Sequence, residues 1–190
     1  MVPIGGTHWM LVGVGVSGVL CALVALVVGR QMGPVAGLAW GGLLWSLAVI
    51  GLVTLLPPVD NPGIIPADEH ATSCSWDIGG PSPGGFWILG GGQQLLNALL
   101  FVPAGFLMTV AFARWRTGWV LVPLGFVLLA AYSLGIEETQ LQVARIDRAC
   151  DVTDVIDNVT GAAVGVALAL LLLPAVRPWR GRRRGPAEIG

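Results

Sequence analysis

Lysine is absent from this 190-residue chain, and charge of either sign is scarce. Only 11% of the residues are Asp, Glu, Lys or Arg, and ten arginines carry all of the strong positive charge. A soluble domain uses about a quarter of its residues as charged surface, so this composition excludes one. The two histidines, His8 and His70, form no metal-spaced pair such as H-E-x-x-H, which argues against a His-ligated zinc site. Neither a G-x-S-x-G elbow nor a P-loop occurs, so two common catalytic signatures are missing.

What fills the chain instead is apolar: 55% hydrophobic residues, 28 glycines and a mean hydropathy of +0.79. That is the composition of an integral membrane protein with room for one all-α helical bundle. Five apolar runs have a span's character: residues 10–28, 35–56, 95–113, a shorter one at 119–134, and 155–176. Runs of roughly 20 residues cross a hydrocarbon core of about 30 Å. Residues 1–9 lack the basic start and small-residue cleavage site of a secretory signal, so the first run reads as a retained span. Gly33-Pro34 marks the turn after it, and Pro57-Pro58 closes the second. Residues 57–94 form a polar, Pro/Gly/Ser-rich connection in which G-F-W-I-L-G, residues 85–90, is too short to span and suits the interface. Three regions follow: two helices plus a long loop over 1–94, a three-helix unit over 95–176, and a basic tail over 177–190.

The arginines predict an orientation. With the N-terminus outside and the C-terminus inside, Arg30, Arg114, Arg116, Arg177, Arg180, Arg182, Arg183 and Arg184 face the cytoplasm, as the positive-inside rule requires, and only Arg145 and Arg148 do not. Arginine without lysine beside so much Gly, Ala, Val and Leu suggests a GC-rich bacterial genome, hence a multi-pass protein of a bacterial cell membrane. The eight tryptophans sit mostly near span ends and read as interfacial anchors. Given their place, the tail arginines suit anionic lipid rather than nucleic acid. Cys74 and Cys150 fall in the two outer connections, where an oxidising compartment favours a Cys74–Cys150 disulfide, while Cys21 lies inside the first span.

Six of the eleven acidic residues, Glu137, Glu138, Asp147, Asp151, Asp154 and Asp157, crowd into one outer stretch between the last two spans. On a helix, Asp154, Asn158, Gly161 and Gly165 share an arc of roughly 60°, with Asp151 beside it. Gly161-A-A-V-Gly165 is a G-x-x-x-G step that admits a close neighbour, so this face turns into the bundle. Glu137 and Gln140 share a face at the end of the fourth span, Asn97 stands at similar depth, and Pro103 and Gly105 are expected to open space between helices. Ionisable residues on an inward face at the membrane edge point by default to a site. The structural alternative gives Asp151 an N-cap and Asp154 a first-turn role, with Arg145 and Arg148 neutralising both. A divalent cation on Glu137, Asp151, Asp154 and Asn158 is chemically admissible as a lesser alternative, since hard cations take carboxylate and amide oxygens.

These residues resemble the VanZ-like family. N-A-L-L-F-V-P-A-G-F from Asn97 is similar to its N-x-L-x-F-x-P-x-G-F signature, and Ser133, Glu137 and Gln140 follow its S-x-x-x-E-x-x-Q. Arg148, Asp151, Asp154, Asn158, Gly161 and Gly165 follow its R-x-x-D-x-x-D-x-x-x-N-x-x-G-x-x-x-G. The resemblance covers residues 97–172; Thr153 stands where an acidic or amide residue is common in the family. It implies a membrane protein whose namesake is associated with resistance to teicoplanin-type lipoglycopeptides. The expectation is an outward polar pocket of Asn97, Glu137, Gln140, Arg145, Arg148, Asp151, Asp154 and Asn158 that engages an amphiphile without a required cofactor. The ligand is a membrane lipid, a lipid-linked cell-envelope precursor or a lipidated antibiotic. Two rivals stay open: a membrane-embedded enzyme with a carboxylate/divalent-cation site, and a purely structural subunit.

Overall fold

The computed structural model describes residues 6–56, 74–76, 92–142 and 151–181. Five helices, each long and apolar enough to cross a membrane, make up nearly all of it. Helix α1 (Thr7–Met32) reverses at Gly33, whose φ of 98° favours glycine, into α2 (Pro34–Leu55). Pro34 opens α2 because its fixed φ suits a first helical turn and the missing N–H costs nothing there. Helices α3 (Gly92–Phe112), α4 (Gly118–Gln142) and α5 (Val152–Val176) follow, and a 3-10 turn, Pro178–Gly181, ends the described chain. The all-α expectation therefore holds, with one boundary moved. Helix α4 does not stop near residue 134 but runs on to Gln142, because Ile136, Glu137 and Gln140 are buried within the bundle. The interfacial piece at 85–90, Arg145, Arg148, Cys150 and the tail from 182 onward lie outside the described residues.

Apolar burial does little to associate helices in a bilayer, since lipid tails are as apolar as leucine; close van der Waals packing must serve instead. The tightest seam joins α3 to α5, which run parallel. A Cβ on Gly161 would overlap the Ala98 carbonyl oxygen and lie 2.7 Å from its carbon, and one on Gly165 would lie 2.7 Å from the Phe106 nitrogen. Gly105 of α3 receives the α5 backbone at Ala162 in the same way, so it closes the space it was expected to open. Pro103 sits on the exposed side of α3. A second seam went unread in the sequence: Gly37 and Gly41 of α2, another G-x-x-x-G step, meet the α1 backbone at Ala25, Gly29 and Cys21. Helix α1 packs chiefly on α2, buries none of its residues and leaves side chains such as Leu11, Val19 and Leu20 outward, as a lipid-facing helix should.

Between the seams, Leu43, Ile50, Phe101, Met108, Leu129 and Ile136 fill a common core. Buried hydroxyls are satisfied within their own helices: Ser46 donates to the Leu43 carbonyl, Thr54 to Ile50 and Thr109 to Gly105. At one end of the bundle Trp40 meets Phe112 and Trp115 edge-on, with ring centroids 5.5 and 6.1 Å apart, and the Arg114 guanidinium donates to the Met32 carbonyl. Charge is thereby segregated by end. Arg30 and Arg177 at helix ends and Arg114 and Arg116 in the α3–α4 turn lie at the Met32–Gly33 end, whereas Glu137, Glu138, Asp151, Asp154 and Asp157 lie at the opposite one.

Candidate functional site

The carboxylate end is built from the last turns of α2 and α4 and the first turns of α3 and α5. Asp151 caps α5: its backbone is extended (φ −130°, ψ 127°) and its Oδ1 accepts from the Thr153 N–H at 2.9 Å, satisfying one of the helix's orphan donors. Around this cap the strands of chain converge. Val152 N–H donates to the Ser75 carbonyl at 3.1 Å, forming an isolated parallel bridge between Ser75 and Asp151. The Asp151 N–H donates to Glu137 Oε2 at 3.2 Å, tying α4 to the start of α5.

Deeper along the same helices, polar side chains pair across the bundle. Asn158 Nδ2 donates to Ser133 Oγ at 2.9 Å, both groups buried, and Gln140 Nε2 donates to the Thr54 carbonyl of α2 at 2.9 Å. Thr54 has that acceptor to spare because its carbonyl lies in the final turn of α2, where no helical N–H follows. Glu137 is only 4% exposed, Thr153 is buried, and Asp154 is half-buried in the first turn of α5. Asn97 is half-buried in the first turns of α3.

One residue breaks this pattern of satisfied groups. Asp157 is fully enclosed, at 0% exposure, and neither of its carboxylate oxygens has a hydrogen-bond partner among the described residues. Buried polar groups are almost always paired, and an ion taken from water without compensation costs on the order of several kcal/mol. It sits one turn before Gly161 on the seam face of α5. Continuing the parallel contacts of Gly161 with Ala98 and of Gly165 with Val102 back by one turn sets it at the level of the α3 turn holding Gln94 and Asn97.

Of the expected pocket residues, Glu137, Gln140, Asp151, Asp154 and Asn158 thus gather at one end, with Asn97 on the neighbouring turn of α3. Arg145 and Arg148 fall outside the described residues. Asp157 was counted among the acids but not placed in the site. The signal was there, since steps of four from Asp157 lead to Gly161 and Gly165 and so hold one face. Among the described residues, no group of three or more His, Cys, Asp or Glu is arranged to hold a metal ion. Glu137 and Asp151 are engaged instead by backbone N–H groups.

Cys21 is free and Cys74 is disulfide-bonded. Cys74 directly precedes Ser75, which bridges to Asp151, and Cys150 is the one other cysteine of the sequence. Non-reducing peptide mapping is expected to find Cys74 linked to Cys150; free thiol at Cys150 in the unreduced protein would contradict the pairing.

These features define a class: a multi-pass helical membrane protein with a closely packed α3–α5 seam and a buried polar cluster at one end. Its family is equally definite. The VanZ/LLP1 family model matches residues 42–173, well over half of the chain, and the protein belongs to that family. The match begins in α2, so it takes in a helix beyond the resemblance read from residues 97–172. No curated protein and no solved structure matches the chain.

Proposed function

We propose that the polar end of the α3–α4–α5 unit receives the head group of a membrane amphiphile: a lipid, a lipid-linked envelope precursor or a lipoglycopeptide. The observation that carries this is the buried set Ser133, Glu137, Gln140, Asp157 and Asn158 at one end of an otherwise apolar bundle. Helix packing alone would be served more cheaply by Ala, Leu and Gly, and intramembrane ionisable residues are retained where they have work to do. The segregation of arginines from carboxylates favours the N-out, C-in orientation, which turns the cluster outward from a bacterial cytoplasm. A structural reading accounts for Asp151 as a cap and for the Glu137 contact with it, but offers nothing for Asp157. The carboxylate/divalent-cation enzyme draws no support from the arrangement of the described carboxylates.

Cross-linking tests the proposal. A photoactivatable phospholipid in proteoliposomes is expected to label the α4 and α5 peptides holding Ser133 and Asn158 well above the lipid-facing α1 peptide, and to lose that excess in the Ser133→Leu/Asn158→Leu double variant. Uniform labelling of all helices, unchanged in the double variant, would dismiss it.

A further inference from the structure

We infer that Asp157 is the counter-ion for a primary ammonium group, so that the head group received at the polar end is an amine. This rests on the reading above and narrows its ligand to one chemical class.

Three observations carry it. First, Asp157 offers two enclosed acceptor oxygens that no hydrogen bond engages among the described residues. The other buried polar groups of the cluster are used: Ser133 with Asn158, Gln140 with the Thr54 carbonyl, Glu137 with the Asp151 N–H. Second, the described part of this end is acidic. Among the described residues, Glu137, Glu138, Asp151, Asp154 and Asp157 gather there, and every described arginine lies at the opposite end. A head group whose only charge is negative would meet repulsion from these carboxylates, whereas an ammonium is drawn to them. Third, the donor set suits an ammonium better than a metal. Divalent calcium takes six to eight oxygens and magnesium demands an octahedron, and no such group of carboxylates is arranged among the described residues. A primary ammonium has three N–H donors. One carboxylate and two neutral oxygens meet that need, and Asn97 stands on the α3 turn at the level of Asp157.

An amine can arrive on a lipid or free in water, and the experiment separates the sources. The full chain, purified in a non-ionic detergent, is heated with phosphatidylethanolamine, phosphatidylcholine or phosphatidylglycerol in mixed micelles, and separately with methylammonium, sodium or magnesium chloride. Phosphatidylethanolamine is expected to raise the melting temperature by a few degrees, and phosphatidylcholine, which lacks N–H donors, is not. A shift with methylammonium as well would show that the ammonium alone suffices; a shift with phosphatidylethanolamine only would show that its lipid is needed. Asp157→Asn is expected to abolish these shifts and, without ligand, to melt about 3 °C or more above the parent, because an unpaired buried charge has been removed.

Four results would overturn the inference. Sodium or magnesium stabilising the parent but not Asp157→Asn would make the ligand a metal. Phosphatidylglycerol or phosphatidylcholine acting as strongly as phosphatidylethanolamine would leave the amphiphile proposal standing and remove the amine. Asp157→Asn melting below the parent without ligand would mean that a cation of the chain itself, such as Arg145 or Arg148, already pairs with Asp157. Stabilisation by none of the probes would take the amphiphile proposal down as well.

Discussion

Replacing Gly161 with leucine is expected to abolish the folded bundle, leaving no monodisperse protein after detergent extraction. The reason is steric and local. The position where a Cβ would stand is already occupied by the Ala98 carbonyl of α3, which is backbone and cannot rotate away as a side chain would. Relief requires α3 and α5 to separate, and with them would go the contacts of Gly165 with Val102 and of Gly105 with Ala162. Overpacking of this kind costs more than the usual 1–3 kcal/mol of a crowded core, because the whole seam opens. Gly135 supplies the control. It lies on α4 with nothing within 4 Å of a would-be Cβ, so Gly135→Leu should extract and elute like the parent. Equal behaviour of the two variants in fluorescence-detected size exclusion would contradict the seam.

Glu137→Ala carries the second large effect, a loss of about 2–4 kcal/mol in detergent unfolding. Two costs add. Truncating a side chain only 4% exposed leaves a void, and the Asp151 N–H at the start of α5 loses its acceptor. Glu137→Gln keeps the volume and an acceptor oxygen, so its cost should be nearer 1 kcal/mol. This ordering separates position from charge. If alanine and glutamine cost the same, the charge of Glu137 would matter and its place in the α4–α5 junction would not.

Most of the architecture was legible in the sequence because the bilayer leaves a long apolar run few options. Span number and span order follow from length and hydropathy, and Gly161–Gly165 announced a close seam by its spacing. The fourth span was bounded too early, at residue 134, because the polar residues after it broke the apolar run; helix α4 continues to Gln142 and carries Glu137 and Gln140 into the bundle, where Gln140 meets the Thr54 carbonyl. Gly37 and Gly41 were passed over because glycine is abundant throughout the chain, and only the neighbouring helix shows which glycines are contacts. Asp157 was obscured by its acidic neighbours. Residue type could not distinguish the capping Asp151 from the enclosed Asp157, because the difference lies in which group answers each oxygen.

The central claim is that this end of the bundle holds a head group that the chain does not supply. An experimental density map of the protein in nanodiscs of bacterial polar lipid tests it most directly. The account predicts head-group density within hydrogen-bonding distance of Asp157, at the level of Asn158 and Ser133. Well-resolved side chains there, with Asp157 paired to an arginine of the chain or answered by water alone, would contradict it.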